Sequence, residues 1–196
     1  MDAQEASELI EGDDDNAAEN NRQKNRTALT ISIFAMVLAI TSLGGSNAAK
    51  DITQENILAA NAYAFYQAKN IRQTEYKIAA DNLQLQLAQE KLTPKVKELA
   101  EKKLADYQKN IARYESEPET GDGKKELMAK AKRLEHERDH ALAQDPWFDY
   151  AEALLQIAIV LTSVAILTGV HALFWAPCGL GILGVLSTIN GFMLLV

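Results

Sequence analysis

Hydrophobic and polar positions divide this chain into three apolar runs separated by a long polar stretch. From Ala153 to Val196 there is no Asp, Glu, Lys or Arg, although charged residues make up 24% of the 196-residue chain. At that frequency roughly ten charges belong in a stretch of this length. A hydrocarbon environment explains their absence, because an ionised side chain at a bilayer centre costs at least ~2.5–3.5 kcal/mol. The stretch predicts two spans, at 151–174 and 178–196. Trp147, Phe148 and Tyr150 bracket the first on one side, Phe174 and Trp175 on the other, as aromatic rings do at headgroup level. Trp147 to Trp175 is about 42 Å of helix, against ~40–45 Å for a bilayer with its headgroups. Trp175-Ala176-Pro177-Cys178-Gly179 predicts the turn that reverses the chain.

An earlier apolar run, Thr27 to Gly45, reaches about 28 Å and predicts a span at 26–45. A cleaved signal peptide ending near Ser46-Asn47-Ala48 is the rival reading. The preceding segment is long and acidic rather than short and basic, which favours an uncleaved anchor.

Between the spans, 46–150 reads as helix almost throughout. No Pro occurs before Pro94. One apolar column repeats every seven residues: Ile57, Ala64, Ile71, Ile78, Leu85 and Leu92. That is half of a coiled-coil seam. Its companion column, Asn61, Ala68, Glu75, Asn82 and Gln89, is mostly polar, which argues against a parallel two-stranded zipper. The column is expected to contact helices of its own or another chain. Thr93-Pro94 supplies a helix start, an N-cap residue followed by Pro at the first helical position. Val96, Leu99, Ala100, Leu104, Tyr107, Ile111 and Tyr114 then recur near helical spacing. Glu117–Gly123, with one Pro and two Gly, breaks that helix. A third begins at Lys124, carrying Leu127, Ala131, Leu134, Ala141 and Leu142. Asp145-Pro146 repeats the cap-plus-Pro signal and predicts a redirection of the chain before the second span.

Charge changes the picture at the N-terminus. The formal charge is −7 and the sequence pI about 5.0, which argues against nucleic acid as a partner. Eight acidic residues precede the first basic one, so 1–25 is expected to be a disordered, solvated tail. Asp13–Asn16 lacks the Gly and distal Glu of a calcium-binding loop.

Two stretches carry a resemblance. Asn61-Ala62-Tyr63-Ala64-Phe65-Tyr66-Gln67-Ala68-Lys69-Asn70-Ile71-Arg72 follows the first span, and Phe148-Asp149-Tyr150-Ala151-Glu152-Ala153-Leu154-Leu155-Gln156-Ile157-Ala158-Ile159-Val160-Leu161 opens the second. The chain from Arg26 to Val196 resembles the bacterial family known as domain of unknown function 4337. The resemblance implies a bacterial three-span membrane protein with a helical insert after span one, and no activity.

Candidate chemistry is sparse. His136-Glu137-Arg138-Asp139-His140 fits the zinc-protease pattern H-E-x-x-H, which places both imidazoles on one helix face with a carboxylate beside them. A third ligand is missing downstream, where the last carboxylate is Glu152 and the remaining His171 lies beyond a span. A solvated charged face is the expected role. Gly121-Asp122-Gly123-Lys124-Lys125 has Pro118 where a phosphate loop needs its first Gly, so it reads as a linker. Cys178, the single cysteine, sits in an apolar context and is expected to pack. Gln156 and Asn190 are expected to hydrogen-bond neighbouring helices. Ser187-x-x-x-Gly191 and Gly184-x-x-x-Thr188 offer small faces for close approach.

The sequence thus predicts an all-α integral membrane protein. It has three transmembrane helices and a long helical hairpin, coiled-coil-like, inserted between spans one and two. No enzyme activity, catalytic residue, cofactor or metal is expected. The expected role is a membrane-anchored scaffold or interaction protein, acting as a homo-oligomer or with another membrane protein. The alternative is an accessory subunit of a transporter or channel. Arg22, Lys24 and Arg26 before span one, against Lys50 alone after it, predict a cytoplasmic N-terminus. Lys130, Lys132, Arg133 and Arg138 before span two pull towards the opposite orientation, but they belong to an insert long enough to translocate largely regardless of charge. The resemblance implies that the membrane is the inner membrane of a bacterium.

Overall fold

The computed structural model describes residues 3–89, 92–168 and 172–195. The described residues form four helices: α1 (Ala3–Leu87), α2 (Pro94–Glu115), α3 (Lys124–Thr168) and α4 (Ala172–Met193). The chain is all-helical over these residues. Three of the helices, α1, α3 and α4, are long and apolar enough to cross a membrane.

The expected breaks hold where local chemistry enforces them. Thr93 sits at the N-cap of α2 with an extended backbone, and Pro94 opens the helix. Gly121, at φ 72, takes the left-handed conformation that other residues adopt only with strain. Gly123 is needed for another reason. A Cβ there would lie 2.2 Å from a Glu126 carboxylate oxygen and 2.4 Å from the Glu117 amide nitrogen. That carboxylate accepts bonds from Ser116 Oγ and the Glu117 amide, closing the turn between α2 and α3.

α1 as bounded runs from Ala3 and includes the acidic segment. Two expectations are corrected. The chain does not redirect at Asp145-Pro146, because Pro146 lies inside α3. Trp175–Gly179 is not the turn, because Pro177 lies inside α4, its ring almost fully buried. Each Pro removes one helical bond, a cost that packing around the helix offsets. α3 ends at Thr168 and α4 begins at Ala172.

The chain divides into two compact units. One comprises 1–50 and 141–196. There α3 and α4 run antiparallel, since Leu155 meets Gly184 while Phe148 meets Gly191. Phe34 of α1 fits over Gly181, where an added Cβ would lie 2.0 Å from the ring. Phe34, Leu155 and Ala158 form its buried centre, with Val37, Leu38, Ile159, Leu180 and Val185 around them. The other unit comprises 51–140, in which part of α1 packs with α2 and the first half of α3. Its buried cluster is small-residue packing, Ala59 and Ala62 against Ala131 and Leu134, with Tyr63 alongside.

Candidate interaction surface

Within the unit 51–140, α1 turns one face inward. Ala59, Ala62, Gln73 and Ala80 are buried, and Tyr63, Tyr66, Lys69 and Tyr76 are half-buried between them. Steps of three and four separate Ala59, Ala62, Tyr66, Lys69, Gln73, Tyr76 and Ala80 along the helix. This is the spacing of a coiled-coil seam, so α1 is wound against its own α2 and α3.

The seam is held by polar braces as much as by methyl groups. Gln73, 2% exposed, donates from Nε2 to the Ile111 carbonyl at 2.9 Å and to Glu115 Oε2 at 3.0 Å. Its Oε1 accepts from Lys124 Nζ at 2.9 Å, and Lys124 also pairs with Glu115 at 3.5 Å. One buried amide thereby ties α1 to the end of α2 and the start of α3. The bond from Gln73, with the nearby Lys124 ammonium, holds the Glu115 carboxyl below the ordinary carboxylate range. Ser116 does the same for Glu126. Aromatic contacts fill the rest of the seam. Tyr76 packs on Tyr107 and Tyr114, with centroids 5.5 and 5.8 Å apart, and Lys69 lies over the Tyr114 ring. Tyr63 donates to Glu135 at 2.9 Å, and that bond raises the phenol pKa.

The seven-residue column seen in the sequence lies elsewhere. In heptad geometry it points roughly 180° away from the Ala59–Ala62 direction. Ile57, Ile71, Ile78 and Leu85 are 55%, 61%, 57% and 68% exposed, and Ala64 between them is exposed too. The column therefore makes none of the helix packing within its own chain that was one of its two expected roles. Leu92 does not extend it, because α1 ends at Leu87. A surface helix usually sets polar residues opposite its buried stripe. Here the outward column is more apolar than the buried one, and it is the feature most in need of a partner.

The other candidate residues fall into place as follows. His136, Glu137 and His140 lie exposed on α3. Among the described residues no group of three or more His, Cys, Asp or Glu could hold a metal ion; His171 lies outside them. In the unit 1–50 and 141–196, the small faces of α4 do make close contacts. Thr188 shares a 2.7 Å hydrogen bond with Thr41, Ser187 donates to the Trp147 carbonyl at 2.7 Å, and Gly184 and Gly191 receive Leu155 and Phe148. Ser42 donates to Glu152. Asn190 accepts from the Leu195 amide, and Gln156 is exposed. Cys178 is half-buried.

Gln73 and Lys124 were not singled out by sequence. The usable signal was positional, since Gln73 occupies a heptad position between Tyr66 and Tyr76 that packing would otherwise fill with an apolar residue. No curated protein and no solved structure matches the chain significantly. Residues 23–194 match the family described as Domain of unknown function (DUF4337), which covers both helical units and the outward column, and the chain belongs to that family.

Proposed function

We propose that this protein is a membrane-anchored helical scaffold whose insert associates with another helix, in a second copy of the chain or in another membrane protein. The observation that carries this reading is the outward column of α1, where Ile57, Ile71, Ile78 and Leu85 share a seven-residue register with Ala64 and are each more than half exposed. Single exposed apolar residues are ordinary, but an apolar stripe in register marks an interaction site. The apolar lengths of α1, α3 and α4 support anchoring in a bilayer, and the bilayer proposed is the inner membrane of a bacterium. The exposed residues of those segments, such as Leu167, Leu183 and Leu186, then face lipid.

No enzymatic role is proposed. The polar clusters of the insert are committed to bracing helices, with Gln73, Glu115 and Lys124 bonded to one another. Copurification from mild detergent tests the reading. A homomeric species or a stoichiometric partner supports it, and a stoichiometric transport or channel protein moves it to the accessory-subunit alternative. A single chain that copurifies with nothing contradicts it.

A further inference from the structure

Between α1 and α2, within the unit 51–140, lies a cleft of about 390 Å³ lined by Arg72, Glu75, Tyr76, Ala79, Tyr107 and Tyr114. Its size falls within the ~300–1,000 Å³ of small-molecule sites. The two helices run antiparallel there, since Lys69, Gln73 and Tyr76 meet Tyr114, Ile111 and Tyr107 in turn. Charge is divided along the cleft in the same order. Lys69 and Arg72 stand at the Tyr114 end, where the neighbouring Arg113 and Lys124 are paired with Glu117 and Glu115. Glu75 lies one turn further along α1, towards Tyr107. Arg72 and Glu75 are exposed, and among the described residues neither has an ion-pair or hydrogen-bond partner. The rings divide likewise. Tyr114 has Lys69 and Arg113 over its ring. Tyr76 and Tyr107 carry no cation among the described residues. Their centroids are 5.5 Å apart and their planes inclined at 58°, so they wall a corner beside Glu75 rather than a closed stack.

We propose that this cleft binds a phosphocholine-type zwitterion, with its quaternary ammonium in the Tyr76–Tyr107 corner beside Glu75 and its phosphate on Arg72. The inference stands independently of the scaffold reading. Tyrosine faces attract a quaternary ammonium through their quadrupole, and the carboxylate beside them adds a full opposite charge. A guanidinium takes a phosphate through two parallel N–H bonds, and the Lys69 ammonium strengthens the positive field at that end. A simple anion would meet Glu75 and a simple cation would meet Arg72, whereas a zwitterion satisfies both. Spacing selects the kind of zwitterion. Side chains three residues apart on a helix have Cβ atoms about 5–6 Å apart. Phosphocholine separates its charges by two carbons and an oxygen, a comparable reach, while an α-amino acid carries both on one carbon. The same group occurs as a free solute and as a lipid headgroup.

Isothermal titration of phosphocholine into the full chain in phosphatidylglycerol nanodiscs tests the site. One phosphocholine per chain is expected, with choline and inorganic phosphate each binding at least about ten-fold more weakly. Arg72→Gln is expected to weaken phosphocholine at least about ten-fold without weakening choline, and Glu75→Gln to weaken both without weakening phosphate. Both positions are exposed, so helicity and thermal midpoint are expected to match the wild type. Discs containing phosphatidylcholine separate the two sources. Loss of phosphocholine binding in those discs assigns the site to lipid headgroups, and unchanged binding assigns it to a free solute; either supports the proposal. Absence of saturable phosphocholine binding to the wild type would overturn it. So would choline binding as tightly as phosphocholine, or equal phosphocholine affinity in the wild type and both variants.

Discussion

Gln73 shows how much one side chain can organise. Buried and bonded to Ile111, Glu115 and Lys124, it satisfies groups on two other helices at once. Replacing it with Leu would retain volume but leave a half-buried carbonyl and an ion pair short of partners. Gln73→Leu is expected to destabilise the insert by about 1–3 kcal/mol, read as a lower thermal midpoint in detergent. An unchanged midpoint would mean that water replaces the amide. Glu115 and Glu126 set a pH dependence at the same scale. Both carboxyls are held below their ordinary value of 4.5, so their ionised forms favour the folded state. Their contribution is complete above that value and is lost as pH falls through the lower, folded-state values. Thermal midpoints are expected to be level near neutral pH and to fall below about pH 4.5, and Glu126→Gln is expected to flatten that fall. Equal acid sensitivity in the variant would contradict the assignment.

Among the elements, local covalent constraints were legible in the sequence and tertiary compensation was not. Thr93-Pro94 and Gly121–Gly123 end or begin helices because ring geometry and a left-handed backbone act wherever they occur. Asp145-Pro146 and Pro177 carry the same local signal, yet both prolines lie within helices whose packing outweighs one lost bond. The apolar column was legible as a period but not as a direction, since seven-residue spacing states that a face exists, not what it meets. The inward face escaped notice because Ala59, Ala62, Gln73 and Ala80 are small or polar, and burial there depends on the partner helices. Close approach among the apolar helices follows the same logic. Gly181 lies under the Phe34 ring, and Gly181→Leu is expected to cost about 1–3 kcal/mol through overpacking. Its thermal midpoint against Gly179→Leu, where a Cβ meets open space, is the comparison to make.

For the whole molecule, the three long apolar helices were legible in the charge-poor apolar runs, and the helical insert in the absence of Pro before Pro94 and in the spacing of its apolar residues. We propose a cytoplasmic N-terminus from the basic cluster Arg22, Lys24 and Arg26, with the insert on the other side of the membrane. Asp122→Cys, exposed beside Gly121 and made in a Cys178→Ser background, is expected to react with an impermeant maleimide in intact spheroplasts. Labelling only after lysis would invert the topology.

The central claim is that the outward column of α1 is an association surface, and the mass of the assembly tests it most directly. Wild-type protein and the double variant Ile71→Asp/Ile78→Asp would be compared by mass photometry or light scattering in nanodiscs, with helicity recorded alongside. The wild type is expected to exceed the 21.6 kDa of one chain. The variant is expected to return to a single chain with unchanged helicity, because both positions are exposed within the monomer. Equal masses for the two proteins would contradict the account.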